Sequence, residues 1–136
     1  MRKKVMAAVL TAAMVASVSA MPQMVAAADD EFKIGLITDV GGVNDGSFNQ
    51  SAWEGLEKAG EELGVEVNYL ESATDADYQP NMETFVDEDY DLIISVGYML
   101  ADATREAAEA NPDTKFAIID DSSIDLPKCY QPDVQS

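Results

Sequence analysis

The sequence predicts an α/β fold, a parallel sheet flanked by helices, and two observations carry that prediction. Between residues 33 and 119, short apolar runs of strand length alternate with segments whose apolar residues fall three and four apart. The runs are continuously apolar, as expected of strands covered on both faces. Strand alternating with helix, joined by right-handed crossovers, yields a parallel sheet with helices on either side. No internal repeat, low-complexity tract or linker interrupts the pattern.

Residues 1–28 stand apart from it. Arg2, Lys3 and Lys4 form a basic head, and Val5 to Val18 an apolar run. At about 14 residues that run is too short to span a bilayer and has the length of a signal-peptide core. Pro22 breaks a helix there, and Ala26-Ala27-Ala28 supplies small residues for cleavage before Asp29. A second cleavage position follows Ala20. Left uncleaved, the run would be a short membrane anchor. Both readings place the remainder outside the cytoplasm, either periplasmic or held at the membrane by its partners.

The α/β unit is expected over residues 29–127. Its first strand is Lys33 to Thr38 (KIGLIT). A helix follows from about Ser47 to Leu63, with Ala52, Leu56, Ala59 and Leu63 on one face and Gly64 as its C-terminal cap. Val65 to Leu70 is the second strand. Asp77 is placed to cap a second helix carrying the stripe Met82, Phe85 and Val86. Leu92 to Val96 (LIISV), Ala101 to Ala110 and Lys115 to Ile119 (KFAII) complete the series. The segment 128–136 (KCYQPDVQS) has no periodicity. About 108 residues after the leader are enough for one core.

Composition narrows the function. The net charge is −18 over the whole chain and about −21 without the three leader cations. Nucleic acid is thereby excluded as a partner, because its binding rests on clustered Lys and Arg. Anionic membranes and phosphate ligands are disfavoured for the same reason, and an acidic shell serves solubility. The chain has no His and a single Cys, Cys129. It therefore holds no internal disulfide, and a thiol catalyst would lack its usual base. Neither a cofactor nor a metal is expected.

In an open parallel sheet, ligands bind at the carboxyl ends of strands, near the point where strand order reverses. Three segments meet that rule: Asp39 to Gln50, Gly97-Tyr98, and Asp120 to Ser123. In the first, Gly41, Gly42 and Gly46 permit tight turns, while Asp39, Asn44, Asp45, Ser47, Asn49 and Gln50 offer polar groups and Phe48 a flat apolar surface. The composition suits a neutral polar ligand bearing a ring. A phosphate is not suited, since the loop has no Lys or Arg and no P-loop pattern. Other roles stay open: Asp45 or Ser47 as a helix N-cap, Phe48 as a core residue, Gly97 as a strand-end turn, and Asp120 and Asp121 as turn or cap residues. Trp53 reads as a packing residue.

The stretches KIGLITDVGGVNDGSFNQSAWEGLEKAGEELGVEVNYLES and DLIISVGYMLADATREAAEANPDTKFAIIDD closely resemble the basic membrane protein (PnrA-like) family. These are substrate-binding components of nucleoside ABC importers, and the resemblance runs from about Phe32 to Pro127. It implies a type I periplasmic-binding-protein-like fold of two lobes closing on a ligand, of which this chain supplies the N-terminal one. By position, Asp39 matches the acid that hydrogen-bonds the base, Phe48 one ring of an aromatic sandwich, and Asn49 a polar contact beside it. Asp120 matches an acid facing the ribose, with Asp121 as the alternative one register away; Asn44 and Gly97 are weaker contacts. The implied partners are a purine nucleoside (inosine, guanosine or adenosine) and the ABC permease subunits. Relatives are often lipoproteins anchored through a Cys after the signal core, whereas VSAMPQ here has none. After Pro127 the resemblance ceases, which implies that the second lobe is absent from this chain and that binding by one lobe is weak.

Other readings are a sugar receptor of the related periplasmic type, which uses similar acids, amides and rings, and a regulatory relative that binds without transport. A metal-dependent nucleoside-processing enzyme is the remaining one, disfavoured because no His or positioned Lys is available as a general acid.

Overall fold

The computed structural model of the protein describes residues 31–125 and the backbone of 129–130. The leader expected over 1–28 and most of the segment 128–136 lie outside the described residues. Five parallel strands form one sheet in the order β2-β1-β3-β4-β5. They are β1 (Lys33–Ile37), β2 (Glu66–Leu70), β3 (Leu92–Val96), β4 (Lys115–Ile119) and the short β5 (Cys129–Tyr130). The helices are α1 (Phe48–Leu63), α2 (Tyr78–Asp87) and α3 (Ala101–Ala110), the last two each preceded by a single 3-10 turn. The expected alternation is therefore present, and β5 is an addition to it. Two residues are too few to carry a periodic signal.

The central strands β1, β3 and β4 are apolar on both faces because each face has its own helix layer, while the edge strand β2 (EVNYL) is only partly buried. Ile37, Ile93 and Phe116 pack with Tyr78, Met82 and Phe85 of α2 and with Ala107 of α3. Ile34, Leu36 and Val96 pack against Leu56 of α1, with Ala52 and Trp53 partly buried around them. Gly35 faces α2 so closely that a Cβ would lie 2.6 Å from the Phe85 ring. Trp53 packs edge-on against Tyr69, ring centroids 4.7 Å apart, in agreement with its reading as a packing residue.

Two element ends differ from expectation for physical reasons. Leu63, assigned to the buried face of α1, is 74% exposed. A 16-residue helix is about 24 Å long, whereas a five-residue strand covers about 17 Å, so the last turn overshoots the sheet. Gly64 does close α1, in the left-handed conformation with its N–H bonded to the Gly60 carbonyl. Asp77 occupies the N-cap position of α2, as expected, but its side chain makes no capping bond to that helix and turns back. Its carboxylate accepts the N–H groups of Ala73 and Thr74, both at 2.9 Å, and so closes the 3-10 turn Asp75–Asp77 ahead of the helix. Among the described residues no helix is long and apolar enough to cross a membrane.

Candidate functional site

The order of the strands locates the site. β1 has β2 on one side and β3 on the other, so the strand order reverses between β1 and β3, the point at whose carboxyl ends open parallel sheets form their ligand crevice. The register pairs Ile37 with Ser95 and Ser95 with Ile118. Two residues further on, the same alignment brings Asp39, Gly97 and Asp120 to one level. The backbone bonds from Thr38 N–H to Leu70 O (3.1 Å) and from Gly97 N–H to Ile119 O (2.9 Å) carry the ladder up to that level.

Asp39 sits at that level, half-buried. Its Oδ1 accepts the Gly41 N–H at 2.8 Å and the Asn49 side-chain amide at 2.7 Å. Its Oδ2 faces Gly97, where a Cβ would come within 3.2 Å. Gly97 also has φ 105°, a conformation in which L side chains are strained. One oxygen of Asp39 is thus fixed by the protein, and the other is left beside a position with no side chain.

Asn49 lies beneath this carboxylate, 1% exposed. Its Nδ2 holds Asp39, and its Oδ1 is buried without a hydrogen-bond partner among the described residues. Asp45 fixes the turn before it, its carboxylate accepting the N–H groups of Ser47 (2.8 Å), Gln50 (3.0 Å) and Asn49 (3.1 Å). Of the two residues open as N-caps, Asp45 therefore does the capping, whereas Ser47 occupies the N-cap position without a side-chain bond. Desolvation pushes the Asp45 carboxyl up, but the N–H donors outweigh it and leave the carboxyl below its ordinary range.

Phe48, the first residue of α1, is 51% exposed, so its ring belongs to the surface of this edge and not to the core. Val40, Tyr98 and Met99, on loops at the same edge, are exposed as well. Asp120 ends β4 in the left-handed region, φ 68°, with its side chain exposed. Asp121 is engaged locally, accepting the backbone N–H and the hydroxyl of Ser123 at 2.8 and 2.7 Å. Asn44 is exposed in the first loop. The structure thus joins Asp39, Asn49 and Gly97 by direct contact, sets Phe48 next to Asn49, and holds Asp120 two strands away, about 10 Å at ordinary strand spacing.

Two residues at this edge escaped the sequence reading. Glu71, directly after β2, accepts the Val43 N–H at 2.9 Å. Tyr78 is buried below the first loop. Its hydroxyl is pushed up by burial and by the charges of Asp39 and Asp75, with the Val40 backbone opposing them. An acid directly after a strand was the available signal for Glu71. At the opposite edge, Glu31, Lys33, Asp89 and Asp91 line an open depression of about 410 Å³. The Lys33 N–H donates to Asp91 and its ammonium to the Glu88 carbonyl, so these groups serve the strand start. Among the described residues no three Cys, Asp or Glu side chains converge as a metal site.

Residues 32–124 match the family described as ABC transporter substrate-binding protein, PnrA-like. The chain belongs to this family. The CD4+ T-cell-stimulating antigen of Listeria monocytogenes is 49% identical over 100 residues, which is 70% of this chain and 28% of that protein. The ABC transporter nucleoside-binding protein BmpA of Lactococcus lactis is 42% identical over 94 residues, 66% of this chain and 27% of that one. Among solved structures, an ABC transporter solute-binding protein of Aeropyrum pernix superposes with TM-score 0.67 at 29% identity, covering 74% of this chain and 28% of its own. The PnrA-like chain described here spans less than a third of the length of these curated relatives. Its fold is that of periplasmic-binding-protein-like solute-binding proteins, and its family is that of ABC transporter substrate-binding proteins.

Proposed function

We propose that this PnrA-like chain forms the N-terminal lobe of an extracytoplasmic receptor that captures purine nucleosides for an ABC importer. The observation that carries the reading is Asp39 Oδ2 facing the side-chain-free Gly97, with the exposed Phe48 ring at the same edge. A carboxylate oxygen accepts hydrogen bonds from ring N–H groups of a base or from a ribose diol, and an exposed aromatic ring stacks on the base. Asp120, at the same level across β3, is the acid we assign to the sugar end of such a ligand. BmpA of Lactococcus lactis, named as nucleoside-binding, is among the relatives of this chain. The permease subunits of the importer are the implied macromolecular partner.

Recognition by one lobe buries only part of a ligand, whereas pockets commonly bury 70–90% of its surface. Weak binding is therefore expected of this chain alone. Calorimetric titration with inosine, guanosine, adenosine and ribose, in parallel with Phe48→Ala, tests the reading. Saturable heat with a nucleoside, reduced in Phe48→Ala, supports it. Binding of ribose or hexoses in preference to every nucleoside overturns it in favour of a sugar receptor.

A further inference from the structure

The first loop carries Asp39 at its start and Phe48 and Asn49 at its end, so its path sets the distance between the acid and the ring. Between them a carboxylate from outside the loop holds its middle. Glu71 Oε1 accepts the Val43 N–H at 2.9 Å, 28 residues away in sequence. A Cβ on Gly42 would stand 2.7 Å from that same oxygen, and Gly42 has φ 67°. The glycine is needed twice, for the left-handed turn and for the approach of the carboxylate. Val43 itself is buried, 5% exposed, so the bond fixes a loop residue that is also anchored in the core.

Glu71 is in turn secured from two sides. Its neighbour Leu70 receives the Thr38 N–H, the last rung between β1 and β2. The side-chain amide of Asn81, on α2, donates to the Glu71 carbonyl at 3.2 Å and to the Ser72 hydroxyl at 3.1 Å. A fixed acceptor on a rigid base meets a loop whose Gly41 and Gly46 are exposed. We propose that Glu71 is a positioning residue of the ligand site: its carboxylate locks the Gly42–Val43 turn and so presets the loop that spans Asp39 and Phe48. This rests on the ligand reading given above, and it adds a residue outside the ligand-facing set whose effect is preorganisation.

The test uses the 136-residue chain with Glu71→Ala, Glu71→Asp, Glu71→Gln and Gly42→Ala, read by amide hydrogen exchange, urea unfolding and inosine titration. In Glu71→Ala the Val43 amide is expected to exchange about tenfold faster or more, while the unfolding midpoint and the amides of β1 and α2 stay in place. Inosine affinity is expected to fall about threefold to tenfold, the net range of one intramolecular hydrogen bond. Glu71→Gln retains an acceptor oxygen at the same reach and restores both readings, whereas Glu71→Asp is one methylene too short and does not. Gly42→Ala displaces the carboxylate, so adding it to Glu71→Ala changes Val43 exchange less than it does alone. Unchanged Val43 exchange in Glu71→Ala overturns the lock, and so does a change matched by a general loss of stability. A loosened Val43 with undiminished inosine affinity overturns the positioning role. If the unaltered chain binds no nucleoside, the receptor reading fails, while the exchange data still decide whether the lock exists.

Discussion

At the scale of single residues, stability and binding separate cleanly at Phe48. Its ring is half exposed and has no place in either core cluster. Phe48→Ala should therefore leave the free energy of unfolding within about 0.5 kcal/mol of the parent, while nucleoside heat is lost; urea titration and calorimetry on the same samples measure the two. Gly97 is the opposite case. Alanine there meets Asp39 Oδ2 at 3.2 Å and must adopt φ near 105°, a strain of about 1–3 kcal/mol. Gly97→Ala should lower stability and binding together, and a variant binding as well as the parent would remove Gly97 from the site. The placement of Asp39, Phe48 and Gly97 at one edge was legible because each stands just after a strand or at the head of the following helix, where the sheet rule points. Glu71 obeys the same rule after β2 and was not selected, since one acid without neighbouring glycines resembles any solvated carboxylate. That its partner is Val43, 28 residues earlier, is a fact of the β1–β2 pairing which no local pattern contains.

At the scale of elements, β1, β3 and β4 were legible because burial on both faces writes itself as short, largely apolar runs, whereas the edge strand β2 (EVNYL) is only half-buried. Element ends were less legible, because caps act over one turn and several acids compete for each. The Asp77 carboxylate went to the 3-10 turn in place of α2, whereas Asp45 took the start of α1. The Asp45 carboxyl is held below its unfolded value by its N–H donors, so its ionised form favours the fold. That contribution is complete above the ordinary Asp range near about pH 4 and is lost as pH falls through the lower folded value. Amide protection of Ser47, Asn49 and Gln50 should accordingly drop on acidification below about pH 4, and Asp45→Asn should be less protected at neutral pH yet converge with the parent in acid. Equal protection of the two proteins at neutral pH would mean that the cap contributes nothing. Sheet-to-helix packing yields a second expectation. Alanine at Gly35 drives a methyl into the Phe85 ring at 2.6 Å, and Phe85 is 2% exposed with no room to retreat. Overpacking of this kind costs about 1–3 kcal/mol. In urea unfolding, Gly35→Ala should show that loss and Phe85→Leu in the same chain should return part of it; an additive double variant would argue against the contact.

At the scale of the whole molecule, the dominant feature is charge, with 26 acidic against 8 basic side chains. The two ion pairs among the described residues, Lys58–Glu62 and Arg105–Asp102, join largely exposed partners within one helix turn. Such pairs are worth at most about 1 kcal/mol each, so most of the acidic excess is not neutralised by ion pairs among the described residues. A stability that depends on ionic strength follows from that excess. Raising salt from about 0.01 M to 0.1 M shortens the screening length from about 30 Å to 10 Å, from the width of the domain to the spacing of neighbouring side chains. Repulsion relieved over that range by about 1 kcal/mol corresponds to a rise in Tm of roughly 4–8 °C for a domain of this size. The rise should be the same with NaCl and KCl, because screening depends on charge and concentration and not on the identity of the cation. Thermal melts followed by circular dichroism in the two salts decide the point. A flat Tm would mean that the carboxylates are spread widely enough to ignore one another, and a response specific to one cation would place bound ions, not screening, in control of the acidic shell.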